Sequence, residues 1–209
     1  MKSIYFIRHG ETELNRLKIV QGGGVDASLN DTGRTQAQAF YNTYRAIPFE
    51  AVLTSTLKRT HETVAPFLEN GLPWEQFSEI DEMSWGEHEG KAGTPAMREE
   101  YLQLTAAWSS GDYSARIKGG ESAEELAVRV QRFIELLKVR PEQCLLVCAH
   151  GRLMRCLICL LKGQALSNMQ QFQHANTGLY QVQFVEDSFH FLRDNDTTHL
   201  TSVSLVPTI

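Results

Sequence analysis

Short unbroken apolar runs alternate along the chain with stretches whose apolar residues recur every three to four positions. Ile4–Ile7, Ala51–Thr54 and Cys144–Ala149 are runs of the first kind. They are too short for helices and are expected as strands buried on both faces. Helical spacing is clearest after Asn30, a residue suited to cap a helix, where Ala37, Phe40, Tyr41 and Tyr44 form one stripe in a helix running to about Ala46. Thr60, Val64, Phe67 and Leu68 predict a second helix that stops at Asn70-Gly71. Thr94–Ser109 predicts a third, ending at Ser110-Gly111-Asp112. Ser122 with Glu125 three residues on is a capping box. It opens a helix whose inner face is Leu126, Val130, Phe133, Ile134 and Leu137, and which Pro141 ends. A further helix is expected over Arg152–Leu161, then an antiparallel pair, Leu179–Val185 and Phe189–Leu192, turning at Glu186-Asp187-Ser188. Trp74–Gly93 is expected to be irregular, and the tail from Asp194 carries no pattern that places it. Strands alternating with helices predict an α/β fold: a three-layer αβα sandwich, its central sheet mostly parallel, with helices on both faces. No linker-like tract or repeat divides the chain, so residues 1–209 are expected to form a single domain.

Charge and cysteine usage narrow the options. Twenty Lys and Arg against 25 Asp and Glu give a net charge of −5, with no basic block, which argues against a nucleic-acid partner. No apolar stretch reaches the roughly 20 residues that span a bilayer, so no membrane partner is expected. The four cysteines, 144, 148, 156 and 159, fall in apolar runs and are expected as reduced, buried thiols in a cytoplasmic protein. A metal site is the alternative, but the spacings do not resemble a paired C-x-x-C pattern and no metal is expected.

The three best strands each finish in basic residues. Ile4–Ile7 is followed by Arg8-His9-Gly10, Ala51–Thr54 leads through Ser55 to Lys58-Arg59, and Cys144–Ala149 runs into His150-Gly151-Arg152. Ligands of parallel α/β sheets bind beyond the carboxyl ends of the strands. If the three strands are neighbours, Arg8, His9, Arg59 and His150 converge there. Cations gathered at strand ends and helix N-termini suit a tetrahedral oxyanion such as phosphate.

The segment Ile4 to Thr12, centred on Arg8-His9-Gly10, resembles the Arg-His-Gly signature of the histidine phosphatase superfamily, which includes the cofactor-dependent phosphoglycerate mutases. Further matching motifs follow in order over most of the chain. They are Asn15, Gln21-Gly22, Ser28-Leu29 through Gly33 with Gln36-Ala37, Ser55 through Thr60, Glu82 through Gly86, Glu89-Gly90, Gly119 through Ser122, and Ala149-His150-Gly151. The resemblance implies a phosphomonoester hydrolase of histidine acid phosphatase type. His9 would be the nucleophile, forming a phosphohistidine. It must be neutral to attack, and neighbouring cations favour that form. An Nδ1–H bond to a backbone carbonyl such as that of Gly10 would leave Nε2 free. Arg8 and Arg59 would grip phosphoryl oxygens with planar forks, and His150 would donate to one of them. Glu82 would be the general acid and then the base for water, selected over Asp81, Glu79, Glu87 and Glu89 by its place before Gly86. Asn15 and Gln21 would add amide donors, Gly22 backbone access to phosphate, and Asn176-Thr177 closure of the pocket by backbone contact. Arg152 and Arg155 are expected on a helix surface, and His61, His88, His174, His190 and His199 as structural or solvated.

The expected partners are a small-molecule phosphomonoester and inorganic phosphate, with no cofactor; the oligomeric state is open, a homodimer included. Two other readings stand beside the phosphatase: a phosphoglycerate mutase, and a non-catalytic phosphate-binding module on the same fold. The interval Gly90–Gly119 is short and lacks an adjacent arginine pair, while Met83, Trp85, Trp108 and Tyr113 suggest a partly apolar rim, or simply core. Both features favour hydrolysis and a leaving group larger than glycerate. Sugar phosphates, nucleotides, phosphoserine and ribazole phosphate all remain open.

Overall fold

The computed structural model describes residues 1–201. Residues 202–209, the end of the tail that the sequence pattern does not place, lie outside the described residues. Six strands form one sheet: β1 (Lys2–Arg8), β2 (Ala51–Thr54), β3 (Trp74–Gln76), β4 (Cys144–Ala149), β5 (Leu179–Val185) and β6 (Ser188–Asp196). Their spatial order is β3-β2-β4-β1-β5-β6. The first four run parallel, and β5 and β6 are antiparallel at one edge. The helices are α1 (Glu13–Arg16), α2 (Asp31–Tyr44), α3 (Lys58–Leu68), α4 (Pro95–Ser109), α5 (Ala123–Val139) and α6 (Gly151–Leu161).

Alternation along the buried strands divides the core in two. Ile7, Val52, Leu146 and Cys148 face α2 and α3, meeting Phe40, Tyr44, Val64 and Phe67. Ile4, Phe6, Leu53, Leu145 and Val147 face the other way, against Leu126, Val130 and Phe133 of α5 and Leu153 and Leu157 of α6. The three-layer, mostly parallel architecture expected from the sequence is therefore the one observed. Asn30 caps α2 through its side chain, and Ser122 and Glu125 form the reciprocal box at α5. All four cysteines are free, three of them buried.

Three local expectations need correction. β3 lies within the stretch expected to be irregular; its three residues are exposed and carry no alternation, and pairing with β2 alone makes the strand. α2 ends at Tyr44, two residues early. β6 runs on to Asp196, and Thr198–Leu200 forms a further turn that buries His199 against Phe40 and Tyr44. The β5–β6 turn has Glu186 and Asp187 at φ 48° and 60°, a type I′ hairpin without the glycine such turns favour.

The register levels the carboxyl ends of the three central strands. Arg8 pairs with Ala149, and Thr54 with Cys148. The His9 N–H donates to the Ala149 carbonyl at 3.0 Å and the Ser55 N–H to that of Cys148 at 3.4 Å. The loop after β1 presses against the start of α2: a Cβ on Gly33 would lie 2.1 Å from the Glu11 carbonyl oxygen, and one on Gly10 would lie 2.6 Å from that of Gly33. Only two glycines permit this approach, which holds the residue after Arg8 in place.

Candidate active site

His9 is buried at the end of β1. Its Nδ1–H donates to the carbonyl of Gly10 at 2.7 Å, which fixes the tautomer and leaves the Nε2 lone pair free. Burial, followed by the charges of Arg8 and Arg59, pushes its pKa well below 6.5, so the ring is neutral at pH 7. The His150 ring lies 5.2 Å away, centroid to centroid.

Arg59 is fully buried on the first turn of α3. Its Nη1 donates to the Val25 carbonyl at 2.7 Å and its Nη2 to that of Gly22 at 3.4 Å, while its Nε donates to His150 Nδ1 at 3.1 Å. A guanidinium only donates, so His150 Nδ1 is the bare nitrogen and its proton sits on Nε2, directed at Ser55 Oγ at 2.7 Å. Ser55 is fixed in turn by the Leu57 N–H and Thr60. Burial and Arg59 push His150 well below its ordinary value too. His150 thus accepts from Arg59 here and does not present the donor expected toward phosphate.

Arg8 donates through Nη1 to the His174 carbonyl at 2.9 Å and to His174 Nδ1 at 3.3 Å. Its Nε is buried without any partner. Burial lowers Arg8 to about 10, still protonated at pH 7. Among the described residues neither Arg8 nor Arg59 forms an ion pair. A fully buried and a half-buried guanidinium, neither in an ion pair among the described residues, and an orphaned N–H ask for an anion. His174, expected to be structural or solvated, is the grip on Arg8; nothing in its sequence surroundings signals that contact, made 166 residues away.

Glu82 is buried at the N-terminus of α6. Oε1 accepts from the N–H groups of Met83 at 2.9 Å and Leu153 at 3.0 Å, and Oε2 from that of Arg152 at 3.1 Å. After burial, its charge is the largest influence on both Arg8 and Arg59. Three of the four rival acids are engaged elsewhere. Asp81 holds the Thr56 N–H and hydroxyl, Glu87 pairs with Lys118, and Glu89 accepts from the N–H groups of Trp85 and Gly24.

The remaining candidates divide. Asn15 Oδ1 accepts from the Thr12 N–H and from Asn176 Nδ2, leaving the Asn15 Nδ2 without a protein partner among the described residues. Asn176 Nδ2 also donates to the His9 carbonyl at 2.9 Å. Gln21 Nε2 is spent on Thr12 Oγ1 at 2.7 Å, and its buried unpartnered atom is the acceptor Oε1, so the expected amide donor is half consumed. Gly22 offers Arg59 its carbonyl, and a Cβ there would lie 1.9 Å from Glu89 Oε1; the glycine serves loop packing over Glu89. Thr177 is fully buried, its N–H bonded to the Arg8 carbonyl and its hydroxyl paired with His199 Nε2. It braces the site from behind. Arg152 is not a surface residue, and Arg155 is half-buried. Arg152 is buried among Trp85, Tyr101 and Trp108, and Arg155 Nη1 donates to Gln170.

A cavity of about 820 Å³ adjoins Gln21, lined by Val20, Trp85, Pro95, Met97 and Tyr101 among others. Of the expected apolar rim, Trp85 lines this space, whereas Met83 and Trp108 are core and Tyr113 packs against it. Among the described residues no cluster of three or more His, Cys, Asp or Glu is suited to hold a metal, and no helix is long and apolar enough to cross a membrane.

The buried neutral histidines make stability depend on pH. His174 is pushed down to about 3 and His199 to about 4, chiefly by burial, and His9 and His150 lie well below 6.5. Below about 6.5 the unfolded chain binds protons that the folded chain does not, so stability is complete above that pH and is lost as pH falls toward 4. Each such proton is worth about 1.4 kcal/mol per pH unit. Urea titrations should therefore give an unfolding free energy that drops steeply between pH 6 and 5, by about 3–5 kcal/mol for the set. A value constant across that interval would contradict neutral burial.

Residues 4–197 match the family model of the histidine phosphatase superfamily (branch 1). The chain is 29% identical over 192 residues to the adenosylcobalamin/alpha-ribazole phosphatase of Escherichia coli strain K12, covering 91% of this chain and 93% of that one. It is 36% identical over 159 residues to the 6-phosphofructo-2-kinase/fructose-2,6-bisphosphatase of Gallus gallus, covering 75% of this chain but only 32% of that one. The crystal structure of the alpha-ribazole phosphatase from Shigella flexneri superposes with a TM-score of 0.82 at 26% identity, covering 93% and 96% of the two chains. By its family model, its relatives and its fold, the chain belongs to the histidine phosphatase superfamily, branch 1.

Proposed function

We infer that residues 1–209 act as one cytoplasmic phosphatase domain that hydrolyses small-molecule phosphate monoesters through a phosphohistidine on His9. The observation that carries this is the His9 Nδ1–H bond to Gly10, which leaves Nε2 free on a ring that burial and the charges of Arg8 and Arg59 hold neutral. A phosphoryl group placed there receives the Arg8 Nε–H and the Arg59 fork, with the Asn15 amide at its edge. A phosphoryl oxygen entering between Arg59 Nε and His150 Nδ1 replaces their 3.1 Å bond. Its charge favours a proton on that nitrogen, and His150 then donates as expected from the sequence. Nε2 attacks phosphorus, the bond to the leaving oxygen breaks, and that oxygen takes a proton by way of Glu82. Water then attacks phosphorus, giving its proton to Glu82, and the P–N bond returns its electrons to His9. The cations that compensate charge are side chains, so the reading includes no metal and no cofactor. It includes no nucleic-acid or membrane partner.

Brief exposure to a radiolabelled phosphomonoester followed by alkaline quench should trap acid-labile label on His9, and 3-phosphoglycerate should release inorganic phosphate. Absence of labelled histidine would remove the covalent route. Isomerisation of 3-phosphoglycerate without release of phosphate would mark a mutase.

A further inference from the structure

The geometry points to a second oxyanion-recognition element, Tyr101 on the wall of the 820 Å³ cavity with Arg152 buried directly behind it. This rests on the phosphatase reading: the cavity adjoins the phosphoryl site at Gln21, which both lines it and bonds Thr12, and is taken as the side where the leaving group lies. Arg152 is 6% exposed, forms no ion pair among the described residues, and has an Nη1 that is buried without a partner. Its guanidinium carbon lies 5.6 Å from the ring centres of Trp85 and Tyr101 and 5.4 Å from that of Trp108. Aromatic faces offset part of the cost of burying that charge and leave its sign uncompensated.

The Tyr101 hydroxyl oxygen accepts from Arg152 Nη2. A guanidinium accepts nothing, so the hydrogen of the tyrosine needs another acceptor, and none is present among the described residues. Tyr101 and Trp85 both line the 820 Å³ cavity. Lys18 and Arg98 line it too, neither in an ion pair among the described residues, while no Asp or Glu lines it. An apolar cup with a positive field and a polarised O–H fits one class of leaving group: an apolar body of ring size carrying a carboxylate or second phosphate remote from the transferred phosphoryl.

The test uses calorimetric binding of non-hydrolysable benzylphosphonates, in which a CH2 replaces the ester oxygen, one plain, one with a ring carboxylate and one with a second phosphonate. Turnover is not needed. Wild type should bind at least one charged analogue about tenfold or more tighter than the plain one, and the better of the two identifies the group. Tyr101→Phe, which keeps the ring, and Arg152→Gln should each bring that ratio close to one. General damage to the wall would weaken all three analogues together and keep the ratio. Equal affinities in wild type, or a ratio that survives Tyr101→Phe, would overturn the inference. Binding of no analogue, with inorganic phosphate also unbound, would instead overturn the phosphoryl site on which it rests.

Discussion

Replacing His9 with alanine is expected to lower turnover of every phosphate monoester by on the order of 10⁴-fold or more while leaving a measurable affinity for inorganic phosphate. The asymmetry follows from who holds the anion and who attacks it. On the proposed mechanism phosphate affinity comes from Arg8 Nε, the Arg59 fork and His150, none of which depends on the His9 side chain for its hydrogen bonds. Attack comes from His9 Nε2, the unengaged nitrogen of a ring whose other nitrogen is committed to Gly10. Removing the ring leaves a hole beside His150 and an extra unpaired carbonyl, costs to stability that a melting curve will show. Those costs act equally on all substrates and do not remove label from a trapped intermediate. Rate and phosphate affinity should therefore separate: steady-state rates near the uncatalysed level, with phosphate still detectable by calorimetry. If the variant keeps more than about a tenth of wild-type activity, the nucleophile is another group, and the neutral ring between two arginines serves only to shape the pocket.

How far this site could be read in the sequence differs from residue to residue. The convergence of Arg8, His9, Arg59 and His150 was legible because strand length and order are local properties. Once β2, β4 and β1 are parallel neighbours in level register, the residues that follow them must meet. The caps at Asn30 and Ser122 were legible for the same reason, as each is a contact over three residues. What the chain could not announce are contacts between distant segments. His174 grips Arg8 from the loop before β5, and Ser55 orients His150 from 95 residues away. Arg152 was misread because helical spacing does not reveal that α4 brings Tyr101 and Trp108 over it. β3 was missed since an exposed edge strand has no apolar alternation, and its evidence lies wholly in its partner. Thr177 resembled a ligand contact because it adjoins Asn176; only its two hydrogen bonds show that it faces Arg8 and His199.

Glu82→Gln should lower turnover by about 10²- to 10⁴-fold for alkyl phosphates and much less for nitrophenyl phosphate. An alkoxide leaves badly without a proton, whereas nitrophenolate leaves unaided, so the defect should grow with the basicity of the leaving oxygen. The substitution also has a structural cost. Both carboxylate oxygens accept backbone N–H groups, and a glutamine must turn an NH2 toward Met83 and Leu153 or toward Arg152. One buried bond becomes a clash of donors, worth about 1–3 kcal/mol of stability. Destabilisation alone lowers the rates for alkyl and nitrophenyl esters by the same factor, so the dependence on leaving group isolates the proton. A second signature follows from the return half of the reaction. Water attacking the P–N bond also needs Glu82, so in the variant the phosphohistidine formed from nitrophenyl phosphate should outlast its formation. Nitrophenol would then appear as a burst matching the enzyme concentration, ahead of a slow steady state. A uniform loss across leaving groups with no burst would reassign Glu82 to holding the N-terminus of α6 behind His150.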